Sequence, residues 1–347
     1  MAILVTGGTG FIGSRVVRNL VKQGQDIIAF DWTPERIMLE RMLTAEELDK
    51  KVKIVQGDVT NFAHLCPVIK QFSIDSVVHC AALLLHDVNA NPLLGVKVNC
   101  EGTVAVFEAA RFLGLKKVVW ISSGSVFGPP EAYTEEYIPN DAPHYPQNLY
   151  GGTKSLDEQF ANYYVDRYNL DITAIRLVLV YGAWQSRGRT AAIIREMVAN
   201  PALGKSGKVP AAYDNVLGWT YVDDAANAIV LALNSARTKT RSFSVRGNIH
   251  TIGEIADYVK SLLPTAEISM LALEKSKSNL IMTCKYDMSR IEKELGFKMQ
   301  WSMKQGIKKT INLIRKEKGL PSAVCARPSF GSRRIVDGRI VVAFKQS

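Results

Sequence analysis

With 347 residues, 47% of them hydrophobic, the chain can bury a large core in about two domains, and no run in it is long and apolar enough to span a membrane. Its five cysteines (66, 80, 100, 284 and 325) are scattered without a Cys-x-x-Cys pair, which excludes a disulfide framework and a cysteine metal site and points to reduced thiols in the cytoplasm. The net charge of +10 splits into −3 over residues 1–150 (13 Lys+Arg, 16 Asp+Glu) and +13 over 151–347 (30 and 17), but bases interleave with acids on stretches such as 289–318, so solvated helix faces account for them better than nucleic acid does.

A first strand is expected over residues 1–5. Thr6-Gly-Gly-Thr-Gly10-Phe-Ile-Gly13 follows at once, and residues 14–21 carry apolar positions at helical spacing. Strand, glycine turn and helix in this order are the setting in which a glycine fingerprint means dinucleotide binding. Gly7 allows the tight turn, Gly10 lets the backbone approach a pyrophosphate, and Gly13 lets the helix pack close. The free N–H groups at the helix start, around Phe11 and Ile12, then face the phosphates. Because the turn begins at residue 6, a signal peptide is not expected. A second strand over 26–30 ends in Asp31. An acid about 20 residues beyond the glycines is placed to accept hydrogen bonds from the adenosine ribose and to repel a 2′-phosphate, which favours NAD over NADP.

Strands are expected at 52–55, 76–79, 117–121 and 172–178, with helices over 96–112, stopped by Gly114, and over 156–168. This alternation implies an α/β fold with a Rossmann-type, doubly wound parallel sheet. His79 ends a buried strand and reads as a satisfied core histidine. Ser122-Ser-Gly-Ser125 follows a strand, and Tyr150-Gly-Gly-Thr-Lys154 begins a helix, with Tyr and Lys on one face. A free phenol titrates near 10, too high for a base at neutral pH. A nearby ammonium and a positive nicotinamide would stabilise the phenolate. Ser123 would hold the substrate oxygen while Tyr150 exchanges its proton, and hydride would pass between the substrate carbon and the nicotinamide.

After Gly182 the pattern loosens. Residues 184–189 and 200–218 are rich in Gly, Pro and polar residues, around a helix over 190–199. Segments over the carboxyl ends of the strands are where a substrate is gripped. Arg187, Arg189 and Arg195 lie here as candidates to hold a carboxylate or phosphate. Tyr221-Val-Asp-Asp224 opens another helix, and 246–318 reads as a small helical and mixed lobe. The expected division is a dinucleotide-binding domain over 1–182, rejoined at about 219–245, a smaller substrate-binding lobe from 183–218 and 246–318, and an extension over 319–347. In that extension Ile335-Val-Asp-Gly-Arg-Ile-Val-Val342 carries a hairpin signal, although chain ends are often loose.

These pieces, with Gly57-Asp-Val59, His79-Cys-Ala-Ala82, Val98-Asn99, Gly102-Thr103, Arg176-x-x-x-x-Tyr-Gly182 and Tyr221-Val-Asp-Asp224, make the chain resemble an extended short-chain dehydrogenase/reductase of the NAD-dependent epimerase/dehydratase family, from about residue 2 to about 318. The resemblance implies an NAD-dependent enzyme with a small-molecule substrate. Tyr150 would be the acid/base, Lys154 would bind the nicotinamide ribose and tune Tyr150, and Ser123 would orient the substrate oxygen, with Ser125 close by. Asp58 and Val59 would flank the adenine, Ala81 and Ala82 would line the cofactor path, and Asn99 would sit near the nicotinamide. Related enzymes pair the helices over 96–112 and near Tyr150 across a two-fold axis, so a homodimer is expected.

Departures from the family pattern narrow the chemistry. The 4,6-dehydratases carry Asp-Glu just after the catalytic Ser/Thr; here Gly124-Ser125 stands there, so loss of water is not expected. Nucleotide-sugar epimerases usually carry an Asn after the Arg176 position and an Arg before the Tyr-Val-Asp-Asp stretch; here Leu177-Val-Leu-Val180 and Leu217-Gly-Trp-Thr220 hold neither. The leading expectation is an oxidoreductase acting on a secondary alcohol or ketone of a small molecule, anionic or sugar-like. A nucleotide-sugar epimerase with tightly bound NAD is the alternative. A non-catalytic NAD sensor is disfavoured by the intact Ser/Tyr/Lys set.

Overall fold

The first strand shows how the molecule is layered: Ile3 and Val5 face one side of a sheet and Leu4 the other, the two-residue period of a strand buried on both faces. The computed structural model describes residues 2–271, 285–323, 333–336 and 339–342. In chain order the strands are β1 (Ala2–Thr6), β2 (Asp26–Asp31), β3 (Val52–Gln56), β4 (Ile74–His79), β5 (Lys117–Ser123), β6 (Ile172–Leu177), β7 (Val180–Tyr181), β8 (Gly207–Val209), β9 (Val216–Tyr221), β10 (Ser242–Val245), β11 (Asn248–Thr251) and β12 (Ile268–Met270). Seven of them form the main sheet in the order β10-β6-β5-β4-β1-β2-β3, and every pairing is parallel. The order reverses between β1 and β4, the switch point above which doubly wound sheets bind ligands.

On one face Ile3 and Val5 pack with Val16, Val17 and Leu20 of helix Gly13–Lys22 and Ile229 of helix Val222–Asn234. On the other, Leu4, Val118 and Trp120 pack with Phe107 of helix Gly102–Leu113 and with Ala161 and Val165 of helix Leu149–Tyr168. A second core gathers Met197, Trp219, Ile255 and Ile307, joining β9 to helices Ile252–Leu262 and Met303–Glu317. It lies under the small three-stranded sheet β11-β9-β7. Segments Arg333–Val336 and Arg339–Val342 pair antiparallel. The Asp-Gly turn between them, like Cys284 and Cys325, lies outside the described residues.

Two local expectations shift. The helix expected to begin at Tyr150 and the helical stretch over 156–168 are one continuous helix from Leu149, where the Asn148 side chain caps it, accepting from the Gly151 N–H at 2.8 Å. The stretch 200–218, expected to be irregular, yields β8 and the start of β9. There Val216 and Leu217 pair with Thr251 and His250, a long-range pairing with no local signal.

One buried ion pair ties the sheet to the helix that carries the site. The Glu158 carboxylate accepts from Arg176 Nε (2.8 Å) and Nη2 (2.6 Å), from the Ser122 hydroxyl and from Ser242 Oγ (3.0 Å). Arg176 also donates to the Asn140 carbonyl. Helix, β5, β6 and β10 thus meet at one carboxylate. Arg176→Leu leaves that carboxylate buried without a counter-charge, and denaturant unfolding is expected to show a loss of about 3 kcal/mol or more.

Candidate active site

The glycine turn is built by contacts no side chain would permit. Gly7 sits at φ +63°, and a Cβ there would lie 2.9 Å from the Ala81 amide nitrogen. A Cβ on Gly13 would lie 2.1 Å from the Gly7 carbonyl oxygen, so helix Gly13–Lys22 starts against the turn itself. Arg15, buried, donates to the Phe11 carbonyl at 2.7 Å and to Ala183 O at 2.8 Å, fixing the outer edge of the turn. At Gly10 the side a Cβ would occupy meets only Gly7 O at 3.1 Å. Among the described residues the N–H groups of Phe11 and Ile12 have no protein acceptor, as an anion cradle at a helix start requires. At the tip of β2, Asp31 Oδ2 accepts from the Thr9 hydroxyl (2.7 Å) and amide (3.3 Å), and both bonds use the same oxygen. Thr9 is a site residue that the sequence reading missed; its place inside the glycine turn is the signal that could have found it. Asp58 accepts from the Thr60 N–H (2.9 Å), and the Val59 side chain is buried, so only the backbone of Val59 faces outward. Ala81, half-buried, donates its N–H to Thr6 Oγ1 at 3.3 Å; Ala82 follows it on the same path. This cradle and its acid fit a dinucleotide with free ribose hydroxyls.

Tyr150, Lys154 and Glu158 follow one another at spacings of four along helix Leu149–Tyr168, and Asp157, three residues after Lys154, flanks the same row. The Ser123 hydroxyl neighbours the Tyr150 phenol and accepts from the Ser125 N–H at 3.1 Å. Ser125, half-buried, sets its carbonyl against Gly151, where no Cβ would fit. The structure therefore brings Ser123, Ser125 and Tyr150 together at the carboxyl end of β5. Without a nicotinamide beside it, Tyr150 does not show the expected lowered pKa. Burial pushes the phenol up to about 12, opposed by the Ser123 hydrogen bond and reinforced by the Asp157 charge. Lys154 does not offset this, because its Nζ donates to the Ile121 carbonyl at 2.9 Å over the Trp120 ring. Burial in turn holds Lys154 below the usual lysine value, with Asp157 pulling it back up.

Behind the dyad lies a directed chain of hydrogen bonds. The Ala81 amide donates to Thr6 Oγ1, which bonds His79 Nδ1 at 2.7 Å; His79 Nε2 bonds Thr103 Oγ1 at 3.1 Å, and Thr103 donates to the Asn99 carbonyl. Burial holds His79 down at about 3, so it is neutral, the satisfied core histidine the sequence implies. Asn99, in a π-helical turn (Lys97–Glu101), clasps Leu83 through both N–H (2.8 Å) and C=O (3.1 Å) and also reaches Thr153 Oγ1 at 3.2 Å. Its side chain is spent holding the 83–84 loop, so any influence on a nicotinamide runs through that loop.

Asp157 was not foreseen. It is 0% exposed, and neither carboxyl oxygen has a hydrogen-bond partner of normal geometry. The neighbouring donors are committed elsewhere: Thr103 gives its one proton to Asn99 O, and the Cys100 thiol points to Thr153 O at 3.8 Å. Burial raises Asp157 to about 7, with Lys154 opposing the rise. Of the three candidate arginines, Arg187 and Arg195 are exposed; Arg195 pairs with Glu196 at 3.1 Å and lines an open recess with Ser206 and Lys208. Arg189 opens helix Arg189–Ile194.

The profile of the NAD dependent epimerase/dehydratase family matches residues 3–245. The chain belongs to that family. Over 318 residues this family member is 29% identical to the UDP-glucose 4-epimerase of Mycolicibacterium smegmatis, covering 91% of this chain and 99% of the other. Among solved structures, a partial-consensus L-threonine 3-dehydrogenase superposes with a TM-score of 0.79 at 21% identity over 92% of this chain and 100% of its own. The UDP-glucose 4-epimerase of Thermotoga maritima, solved with UDP-glucose, gives 0.76 at 22% identity over the same shares. Both share its fold. This family member is an NAD-dependent enzyme that moves hydride between a nicotinamide and a secondary alcohol or ketone. Among the described residues no helix is long and apolar enough to cross a membrane.

Tyr150→Phe removes only the transferable proton, so turnover is expected to fall by about 10²–10⁴-fold while NAD binding and the melting temperature hold. Asp157 binds its proton more tightly folded than unfolded. Its contribution to stability is therefore full below the ordinary Asp value and is lost as pH rises through about 7. Asp157→Asn is expected to flatten that loss, gaining on the order of 2 kcal/mol at pH 8 and little at pH 4, read from unfolding curves at the two pH values.

Proposed function

We propose that this protein interconverts epimers of a sugar nucleotide by transient oxidation of a secondary hydroxyl. The observation that carries the reading is Ser123 at the end of β5 beside Tyr150 in the first turn of helix Leu149–Tyr168, with the buried Lys154 one turn behind it. Near-full-length similarity to a UDP-glucose 4-epimerase supports the sugar-nucleotide class. Gly124-Ser125, in place of an acid pair, leaves no group to expel water, which separates the reading from dehydration.

The Ser123 hydroxyl and Tyr150 share the substrate hydroxyl. Ser123 orients it, and the Tyr150 oxygen takes its proton as the carbonyl forms, then returns it after the ketone has turned over in the site. NAD, held by the Gly7–Gly13 turn, Asp31 and Lys154, supplies when bound the hydride acceptor and a positive ring that favours the phenolate. Lys154 holds the ribose while its remaining N–H anchors the β5 carbonyl.

A dehydrogenase that releases NADH is the second reading. Leu217 and Trp219, where an epimerase usually carries its diphosphate arginine, are 0% exposed core residues, which favours a substrate gripped elsewhere. The protein is further read as a cytoplasmic homodimer. Leu93 and Phe112 near one helix, and Leu156 and Tyr163 on the helix beside it, are exposed apolar side chains suited to a two-fold interface.

Incubation with UDP-glucose, UDP-glucuronate and L-threonine, followed at the NADH absorbance and by chromatography of the sugars, separates the readings. Epimer formation with no net NADH is expected. NADH accumulating in step with product establishes the dehydrogenase.

A further inference from the structure

The row of residues across β5, β6 and β10 reads Ser123, Leu177, Val245. The next residue of β10's chain is Arg246, so it stands on the same rim as the catalytic serine, two strand spacings or about 10 Å along the sheet. Its guanidinium lies over the Tyr137 ring at 4.9 Å. That is its one interaction among the described residues: it has no ion pair or hydrogen bond, and its Nε is buried without an acceptor. A buried N–H without an acceptor is costly, and a guanidinium stays charged at any working pH. Glu136, next to Tyr137, does not answer it, because it pairs with Lys285 at 3.1 Å. Lys285 Nζ approaches the same Tyr137 ring at 5.9 Å, so two cations flank one aromatic that is 40% exposed.

The platform is firmly built. Ile138 N–H donates to Lys285 O at 2.8 Å, and Asp287 N–H donates to Ile138 O at 2.9 Å. The Tyr286 hydroxyl donates to the Gly124 carbonyl at 3.3 Å, beside Ser123. On the other side Asn140 Oδ1 accepts from the Ser244 N–H at 3.0 Å. The Arg246 rim and the Ser123 loop are therefore parts of one rigid assembly.

We propose that Arg246, stacked on Tyr137, anchors the phosphate of the substrate while the reacting carbon sits at Ser123 and Tyr150. The proposal rests on the sugar-nucleotide reading above and deepens it. A hydroxy acid or amino acid keeps its carboxylate one or two bonds from the carbinol carbon, too close to reach this rim. A hexose carries an anomeric phosphate across its ring, at the separation the sheet sets. The planar fork of a guanidinium suits a phosphate that accepts two hydrogen bonds. This position takes the place of the arginine missing from Leu217–Thr220, and it differs from Arg187 and Arg195, which stay in solvent.

The test is calorimetric titration of the NAD-loaded wild type, Arg246→Ala and Arg246→Lys with UDP-glucose, UDP and glucose 1-phosphate, with NAD titration of each protein as the control. Arg246→Ala is expected to weaken UDP-glucose at least about tenfold, with Arg246→Lys between, and NAD unchanged. Loss on glucose 1-phosphate as well as UDP-glucose assigns the sugar-side phosphate; loss on UDP and UDP-glucose alone assigns the nucleotide's. Unchanged affinity for all three ligands overturns the role of Arg246 and leaves the epimerase reading standing. A wild type that binds none of the three overturns both. An equal loss of NAD binding in Arg246→Ala shows a structural role and overturns the anchor.

Discussion

Helix Leu149–Tyr168 turns three charged residues, Lys154, Asp157 and Glu158, towards the sheet, and all three are buried. Unanswered charge in the interior costs several kcal/mol per ion, so the fold around this helix is arranged to answer it. Glu158 is met by Arg176 and two serines from three strands. Lys154 is met by the Ile121 carbonyl and faces Asp157, while burial raises the Cys80 and Cys100 thiols to about 12, so neither supplies a charge. The helix cannot rotate or slide without stranding a charge. That constraint fixes Tyr150 at its first turn, against Ser123.

The same economy organises the cofactor side. Thr9 ties Asp31 to the glycine turn, Arg15 ties the turn to Ala183, and the His79 chain ties Ala81 to the π-helical turn at Asn99. Polar groups that look available in the sequence are mostly occupied in the fold. Among the described residues, groups left without a hydrogen-bond partner are informative for that reason: the N–H groups of Phe11 and Ile12, the Asp157 carboxyl and the Arg246 Nε. The first two lie in the glycine turn and Asp157 lies near Lys154.

The glycine turn, Asp31 and the Tyr150/Lys154 spacing are legible in the sequence because each depends on neighbours a few residues away. The parallel sheet is legible for the same reason, since its strands are apolar runs between helical stretches. β9 and β10 are not, because their pairing with β11 and β6 is decided far along the chain. Asp157 carries no motif in the sequence; its burial comes from the fold alone, where Cys100 and Thr103 lie around it. Spacing puts Lys154 near the phenol but does not show that its Nζ turns to the Ile121 carbonyl. Arg246 has no motif around it, and its meaning comes from the sheet register alone.

The central claim is that a hydride leaves and returns to one substrate carbon beside Ser123 and Tyr150. UDP-glucose carrying deuterium at the epimerised carbon tests it most directly, with product and cofactor read by mass spectrometry after turnover in ordinary water. The account predicts that deuterium stays on the epimerised carbon of the product, with none accumulating on reduced cofactor. Product carrying hydrogen from water at that carbon, with no deuterium on the cofactor, would contradict it.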